Sequence, residues 1–371
     1  MMKNIKCGAE VLEGLTGKKS ARVGLITNPT AITADLRPTY DILMEKFTLA
    51  AMFSPEHGVR GDAQAGAEIT EYTDSVTGIT VYSTYGRGKE AAFAAMRTLD
   101  CVFFDIADVG SRYYTYQYTM TETMEVCAQA EIPFVVLDRP PVIGCFAEGN
   151  ILDVKYSSFV GKYATAARTG LTIGEFANYI NKTENIGCEL TVVPCENVRR
   201  TMYFDETGLP FVTPSPNIPT VDTALVYVGT CLFEGTNLSE GRGTTKPFEM
   251  FGAPWMRCRD VIAKIGKQDG CLLRETYFTP QFSKHAGTLC AGIQLHVTDR
   301  TAFRPFDTGV RLVHTIRELH PEFEYRSFIK NLFGSEEICA DNFDCETYLA
   351  GLSAPLAEYK KAIASCQIYE S

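Results

Sequence analysis

Short apolar runs recur along the first half of the chain, separated by stretches with helical spacing. They lack regular polar alternation, which is typical of strands covered on both faces. The runs lie at Arg22–Thr27, Thr48–Phe53, Ile79–Ser83, Cys101–Ile106 and Phe134–Asp138, with helical patterns between them at Lys89–Thr98 and Tyr118–Ala130. This alternation predicts an α/β fold built on a Rossmann-like, doubly wound parallel sheet.

The second half of the chain has a different pattern. The proline-rich segment Pro210–Pro219 predicts an extended loop, and the Gly- and Thr-rich stretch Val226–Trp255 beyond it has few helix signals. An alternating strand at Gly292–Val297 and helices near Thr308–Leu319 and Tyr348–Ile363 come next. We therefore predict two domains, a Rossmann-like domain over residues 1–220 and a smaller α/β domain over residues 221–371.

Composition narrows the partners and the compartment. The formal net charge is −10, which disfavours nucleic acids and anionic membranes as partners. The sequence contains neither a secretory signal nor a long apolar run, so we expect no membrane insertion and a cytoplasmic location. The 13 cysteines are scattered without a CxxC pair, which indicates reduced thiols.

Polar residues follow several of the predicted strands directly. In doubly wound sheets, ligands bind beyond the carboxyl ends of the strands, where the strand order reverses. The residues at these positions are Asn28, Glu56, His57, Asp105, Asp108, Asp138 and Arg139. Their predicted convergence on one edge of the sheet indicates an active site there.

The segment FSPEHGVRGD places Glu56 in a turn directly after a strand. A carboxyl group beside apolar walls has a raised pKa, which suits a general acid. Two other interpretations are open from the residues alone. Glu56 caps a helix N-terminus, or Arg60 pairs with it and keeps it ionised as a base or nucleophile.

The segment Phe103–Met120 combines acidic, basic and aromatic residues after another strand. Tyr113 and Tyr114 can pack on sugar faces and form hydrogen bonds, and Arg112 offers a fork suited to a carboxylate. For Asp105 and Arg112, a buried salt bridge is an equal alternative to a substrate contact.

A third segment, FEGTNLSEGRGTT, is a glycine-rich loop that allows close approach of a ligand. Its candidate residues are Glu234, Asn237, Glu240, Arg242, Thr244 and Thr245. The loop has no nucleotide-binding glycine motif, and the chain has no HExxH or similar metal-ligand spacing. We therefore expect no cofactor and no metal.

Long stretches of the chain resemble the exo-acting β-N-acetylmuramidases of the NamZ type, a bacterial family first catalogued as a domain of unknown function. They span residues 20 to 300 approximately and include VGLITNPTAIT, FSPEHGVRGDAQAG, FDIADVGSRYYTYQYTM, VVLDRPPVIGC, PSPNIPTVDTALVYVGTCLFEGTNLSEGRGTTKPFEMFGAPW and GTLCAGIQLHVTD. The resemblance implies a Rossmann-like domain joined to a smaller one, with the active site in the cleft between them. It also implies release of N-acetylmuramic acid (MurNAc) from the non-reducing end of MurNAc–GlcNAc saccharides or muropeptides.

The resemblance also assigns residues. It places the catalytic glutamate of the SPEHG motif on Glu56 and the loop carboxylates on Glu234 and Glu240, and the PSPNIP stretch supplies Asn217 as a substrate-binding candidate. The chain departs from the family at Thr169, where a histidine is usual. It departs again at Pro141, where the family commonly has Asn.

Glycoside hydrolysis needs two carboxyl groups that flank the bond. We assign Glu56 as general acid and Glu240 or Glu234 as second carboxylate, unless the substrate's own N-acetyl group is the nucleophile. The lactyl carboxylate of MurNAc requires a cation, for which Arg112 and Arg242 are the candidates. The expected substrate-binding set is His57, Arg60, Asp105, Asp108, Arg112, Tyr113, Tyr114, Asn217, Asn237, Arg242, Thr244 and Thr245.

Two other functions are compatible with these residues. One is a metal-dependent hydrolase that uses Glu56, His57, Asp105 and Asp108. The other is a non-catalytic muropeptide-binding protein. Many relatives in the family carry export signals and we expect none in this sequence, so we also hypothesise that the substrate is an imported muropeptide fragment.

Overall fold

The computed structural model describes residues 4–14, 17–61 and 71–370. The end of the FSPEHGVRGDAQAG stretch, residues 62–66, lies outside these ranges. The strands are β1 (Arg22–Thr27), β2 (Thr48–Ser54), β3 (Tyr72–Thr73), β4 (Thr80–Ser83), β5 (Cys101–Asp105), β6 (Phe134–Leu137), β7 (Ala147–Ile151), β8 (Ala166–Thr169), β9 (Leu190–Val193), β10 (Met250–Ala253), β11 (Cys271–Phe278) and β12 (Cys290–Val297). The α-helices are α1 (Gly8–Glu13), α2 (Thr39–Lys46), α3 (Lys89–Met96), α4 (Tyr116–Gln129), α5 (Ile173–Thr183), α6 (Val221–Thr230), α7 (Cys258–Ile265), α8 (Pro305–Leu319), α9 (Ile329–Phe333), α10 (Cys345–Gly351) and α11 (Ser353–Ala364).

Seven strands form one sheet in the order β3-β4-β2-β1-β5-β6-β9. The pairs are parallel except at the edge, where β3 runs antiparallel to β4. Apolar residues of α1 and α2 cover one face of this sheet, and those of α3, α4 and α5 cover the other. This arrangement confirms the predicted doubly wound α/β fold, and all five predicted strands are present within two residues of their predicted ends.

The order of the strands reverses at β1, which has β2 on one side and β5 on the other. In open α/β sheets this switch point forms a crevice at the carboxyl ends of the strands. The chain leaves β2 toward Glu56 and leaves β5 toward the tyrosine-rich segment. The topology therefore brings two of the three candidate segments to one crevice.

A smaller antiparallel sheet, in the order β10-β12-β11, forms with α6, α7 and α8 the second part of the molecule. Helices α6 and α8 approach each other at two glycines, Gly229 and Gly309. A Cβ atom at Gly229 would lie 1.9 Å from the Pro305 carbonyl oxygen, so only glycine allows this packing. The domain boundary predicted at residue 220 falls at the N-cap of α6 and stays a prediction.

Two predictions for the second half were wrong. The Gly- and Thr-rich stretch, expected to have few helix signals, begins inside helix α6, whose N-cap Thr220 accepts a hydrogen bond from the Thr223 amide. The single helix predicted over Tyr348–Ile363 is two helices, α10 and α11, with a break at Leu352. Pro355 lies in the first turn of α11, where a missing amide hydrogen is tolerated, and so favours a new helix start there. Among the described residues, no helix is long and apolar enough to cross a membrane.

Candidate active site

A cavity of about 330 Å³ lies between the carboxyl edge of the large sheet and the segment that follows α6. From the first part of the molecule it is lined by Glu56, His57, Tyr85, Tyr113, Tyr114, Thr115, Tyr116, Phe159, Val160, Ser215, Asn217 and Ile218. From the second part it is lined by Tyr227, Cys231, Glu234, Arg242, Phe248, Phe328 and Leu332. All three candidate segments of the sequence therefore contribute to one site.

Glu56 lies in a tight turn directly after β2. The Gly58 amide donates to the Pro55 carbonyl at 3.2 Å, and His57 has φ = 76°, a left-handed conformation that is rare for a residue with a side chain. Such backbone strain is characteristic of functional sites, where surrounding structure maintains it. The turn directs Glu56 into the cavity, where its Oε2 accepts a hydrogen bond from the Thr115 hydroxyl at 3.3 Å.

The tyrosines after β5 form the floor of the cavity. Tyr113 is 1% exposed and Tyr114 is 8% exposed, and neither hydroxyl makes a well-formed hydrogen bond to another described residue, although Ser215 and Tyr116 lie near the hydroxyl of Tyr114. Burial raises the pKa of Tyr114 well above its usual value, so its hydroxyl stays protonated and can donate a hydrogen bond. Buried polar groups are rarely left unpaired, so these two hydroxyls are poised for a ligand.

Tyr116, the first residue of α4, joins the turn of Glu56 to the proline-rich loop. Its hydroxyl lies 2.8 Å from the Pro214 carbonyl oxygen and 3.4 Å from that of Glu56, and it donates toward both. This contact positions the loop that carries Asn217, which is 7% exposed and lines the cavity.

The opposite wall is a network of charges. Glu234 accepts a hydrogen bond from Nη2 of Arg242 at 3.0 Å, and Nε of Arg242 lies 3.4 Å from Oε1 of Glu240. Lys284 lies 2.9 Å from the other oxygen of Glu240. Burial raises the pKa of Glu234, and the charge of Arg242 opposes this shift. The wall thus presents Glu234 and Arg242 to the cavity, with their charges largely compensated.

Glu240 lies behind this wall. Its side chain is 3% exposed, its oxygens face Arg242 and Lys284, and it does not line the cavity. Of the two glutamates considered as second carboxylate, the structure brings only Glu234 to the site.

Two charged candidates are committed to other partners. Arg60 forms a bidentate ion pair with Asp74, in which its Nε and Nη2 atoms lie 3.0 and 2.8 Å from the carboxylate oxygens. The interpretation that Arg60 pairs with Glu56 is therefore wrong. Asp105 is fully buried and bonded to Arg139, and it also accepts a hydrogen bond from Thr39. Neither residue lines the cavity, so the buried salt bridge is the correct alternative for Asp105.

The prediction that Arg112 binds a carboxylate is wrong. Its guanidinium is fully buried and donates to the backbone carbonyls of Asn150, Thr165, Leu332 and Phe333, at 2.8 to 3.2 Å. Through these hydrogen bonds the guanidinium group joins the two parts of the molecule. Arg242 is therefore the one predicted arginine that reaches the cavity.

The remaining loop candidates also lie outside the cavity wall. The Asn237 side chain donates to the Glu322 carbonyl and accepts from the Glu324 amide, which anchors the glycine-rich loop. Thr244 donates to the Gly241 carbonyl at 2.6 Å and so closes a turn of that loop, and Thr245 is exposed. Of the loop's candidates, only Glu234 and Arg242 line the cavity.

Asp108 lies behind the tyrosines rather than in the cavity wall. Its Oδ1 accepts a hydrogen bond from the Gly110 amide, and its Oδ2 has no partner among the described residues. Burial raises the pKa of Asp108 to about 7, against the effect of that hydrogen bond.

The four residues of the metal-dependent alternative are not gathered at one place. Glu56 and His57 line the cavity, whereas Asp105 is paired with Arg139. Within the described ranges, no group of three or more His, Cys, Asp or Glu side chains is arranged to hold a metal ion.

Thr169 and Pro141, where the chain departs from the resembled family, are both buried outside the cavity wall. Neither departure therefore changes a group that lines the site.

Several aromatic residues of the site were not predicted from the sequence, namely Tyr85, Phe159, Tyr227, Phe248 and Phe328. Tyr227 lies in α6, the helix that was predicted as a loop, and its ring packs edge-on against Tyr113, Tyr114 and Phe248. An apolar periodicity over Val221–Thr230 was the signal that could have found it. Phe159 and Phe328 have no such signal.

Comparisons with known proteins agree with this architecture. Residues 23–222 match the family described as exo-β-N-acetylmuramidase NamZ, N-terminal, and residues 225–369 match the C-terminal counterpart. A Bacillus subtilis protein named peptidoglycan β-N-acetylmuramidase NamZ is 50% identical over 315 residues, which are 83% of this chain and 76% of that protein.

Two solved structures from Bacteroides fragilis, both of the DUF1343 family, share the fold. One has a TM-score of 0.90 at 30% identity and covers 99% of both chains. The other has a TM-score of 0.77 at 29% identity and covers 100% of both chains.

Proposed function

The chain belongs to the NamZ family of exo-β-N-acetylmuramidases, and we propose that it releases MurNAc from the non-reducing end of peptidoglycan-derived MurNAc–GlcNAc saccharides. The observation that carries this proposal is the shared cavity, in which Glu56 and Glu234 approach from different parts of the chain. Two carboxyl groups on either side of a glycosidic bond are what its hydrolysis requires.

We assign Glu56 as general acid and Glu234 as the second carboxylate. Arg242 is hydrogen-bonded to Glu234, and its charge opposes but does not cancel the rise in the Glu234 pKa that burial causes, so the division rests on the match of Glu56 to the glutamate of the SPEHG motif. As Arg242 also faces the cavity, it is the candidate cation for the lactyl carboxylate of MurNAc. The hydroxyls of Tyr113 and Tyr114 and the side chains of His57 and Asn217 complete the proposed substrate contacts.

The experiment is the kinetics of Glu56→Gln with two substrates, MurNAc–GlcNAc and a MurNAc glycoside with an activated nitrophenyl leaving group. We expect turnover of the disaccharide to fall at least ~100-fold, the usual contribution of a general acid. The activated glycoside should lose less, because its leaving group needs little protonation. Near-normal hydrolysis of the disaccharide would overturn the assignment, and an equal loss on both substrates would assign the proton to Glu234.

The non-catalytic alternative is tested in the same assay. Binding of MurNAc–GlcNAc by the unmodified protein without release of MurNAc would establish a binding protein.

We also propose that the chain works in a reducing compartment, the cytoplasm, on imported fragments. All 13 cysteines are free thiols, and ten of them are buried. Cell fractionation checks this location, and recovery of the chain outside the cytoplasm would contradict it.

A further inference from the structure

Two phenylalanines lie side by side at the open end of the cavity. The ring centroids of Phe159 and Phe328 are 5.8 Å apart, and their planes differ by 18°. Both rings line the cavity, yet the Phe159 side chain is 61% exposed. Exposed apolar surface at the edge of a polar site is characteristic of a ligand-binding groove.

The local backbone fixes the exposure of Phe159. Ser158 and Gly161 exchange both of their backbone hydrogen bonds, at 2.8 and 3.2 Å, so Phe159 and Val160 form the tip of a tight hairpin turn. Val160 is 7% exposed and packs inward, which leaves the Phe159 ring directed outward. The turn therefore presents this ring at the surface instead of burying it in the core.

Phe328 is positioned from the other part of the molecule. It is the N-cap residue of α9, its carbonyl accepts a hydrogen bond from the Asn331 amide, and its neighbour Ile329 is 1% exposed. Because the two rings come from different parts of the chain, the surface they form exists only in the assembled fold.

The exposure of the residues along the cavity indicates which end of the saccharide lies inside the protein. Tyr113 and Tyr114, at the inner end, are 1% and 8% exposed, whereas Phe159 is 61% exposed. An enzyme that removes a terminal sugar must enclose that sugar, and the rest of the saccharide must continue toward solvent. The ring that follows the cleaved linkage would therefore pass across Phe159.

We propose that Phe159 and Phe328 form an aromatic platform that binds the GlcNAc ring on the leaving-group side of the cleaved linkage. Sugar rings carry apolar C–H faces, which pack against aromatic side chains much as other apolar groups do. The proposal rests on the proposed function, because it takes the terminal MurNAc to occupy the enclosed end.

The test compares two ligands that differ by this one ring. In the Glu56→Gln background, which is expected to bind without turnover, calorimetry measures the affinity for free MurNAc and for MurNAc–GlcNAc, with and without Phe159→Ala. We expect Phe159→Ala to weaken MurNAc–GlcNAc binding roughly five- to tenfold, which corresponds to the loss of about 40–55 Å² of covered apolar surface. Affinity for free MurNAc should change less than about twofold, and Phe159→Trp should restore the disaccharide affinity.

The matched control is Phe146→Ala, which removes another partly exposed phenylalanine, 38% exposed, that does not line the cavity. It should leave both affinities unchanged. An equal loss for both ligands with Phe159→Ala, or no loss for either, would overturn the platform. A loss confined to MurNAc carrying a dipeptide would assign the rings to the peptide and also overturn it. Failure of the unmodified protein to cleave MurNAc–GlcNAc would refute the proposed function, whereas the affinity comparison stands apart from that result.

Discussion

The two walls of the cavity differ in how far their polar groups are already satisfied. On the wall from the large sheet, the hydroxyls of Tyr113 and Tyr114 make no well-formed hydrogen bond to other described residues. On the opposite wall, Glu234 and Arg242 are bonded to each other, with Glu240 and Lys284 behind them.

This difference indicates a division of labour. Unpaired buried hydroxyls cost stability until a ligand supplies their partners, so the first wall is built to contact a substrate. The second wall places two carboxylates and two cations in a buried network, where each charge stabilises its neighbours. It therefore holds Glu234 in place, while burial still raises the pKa of Glu234.

The sharpest test of the comparison is the pair Glu234→Gln and Glu240→Gln. We expect Glu234→Gln to lower turnover of MurNAc–GlcNAc by ~100-fold or more, because it removes the second carboxylate from the cavity. Glu240→Gln should act mainly on stability, because it leaves Lys284 buried without its carboxylate. Steady-state kinetics and thermal unfolding separate the two effects, and a larger catalytic loss for Glu240→Gln would reverse the assignment.

Arg112 gives the next largest expected effect, and on stability alone. Arg112→Met leaves four backbone carbonyls without their charged donor, which should lower the free energy of unfolding by about 3 kcal/mol or more. Chemical denaturation measures this loss. Turnover per folded molecule should stay near normal, and a specific rise in KM would restore Arg112 as a substrate contact.

A smaller effect distinguishes the satisfied hydroxyls from the unsatisfied ones. Tyr114→Phe should weaken substrate binding roughly three- to tenfold, the worth of one neutral hydrogen bond, with no loss of stability. Tyr118→Phe is the matched control, because the Tyr118 hydroxyl donates to the Arg112 carbonyl at 2.5 Å. That variant should lose stability and keep its KM. Equal changes in KM and in stability for the two variants would show that the Tyr114 and Tyr118 hydroxyls do not differ in role.

A separate effect is the pH dependence of stability that Asp108 introduces. Burial raises the pKa of Asp108 to about 7, above the ~3.9 of an unfolded chain, so the folded state holds its proton over that interval. Its contribution to stability is therefore complete below about pH 4 and is lost as the pH rises through about 7.

Comparing unfolding temperatures of Asp108→Asn and the unmodified protein isolates this contribution. The difference should shift in favour of the variant from pH 4 to pH 7 and then level off. Glu148 and Asp138, whose pKa values burial also raises, to about 7 and about 6, are present in both proteins and cancel. A difference that does not vary with pH would show that Asp108 is not protonated in the folded state.

The sequence determined the layered fold and the location of the site. Apolar runs without polar alternation indicate buried parallel strands, because helices cover both faces of a parallel sheet and leave no face to solvent. Since the carboxyl ends of such strands share one edge, the position of Glu56 and of the tyrosine-rich segment followed from the pattern. The glycine-rich loop was correctly expected at the same site, although Glu234 and Arg242 alone among its polar candidates line the cavity.

Only the tertiary structure decided which charged residues were free to act. The carbonyls that occupy Arg112 lie 38 to 221 residues away in sequence, and Asp105 is paired with Arg139, 34 residues away. Phe159 and Phe328 likewise meet across a long separation, at a turn tip and a helix start. Local periodicity encodes which face of an element is buried, whereas the pairing of polar groups and the exposure of a ring depend on neighbours that only the folded chain brings together.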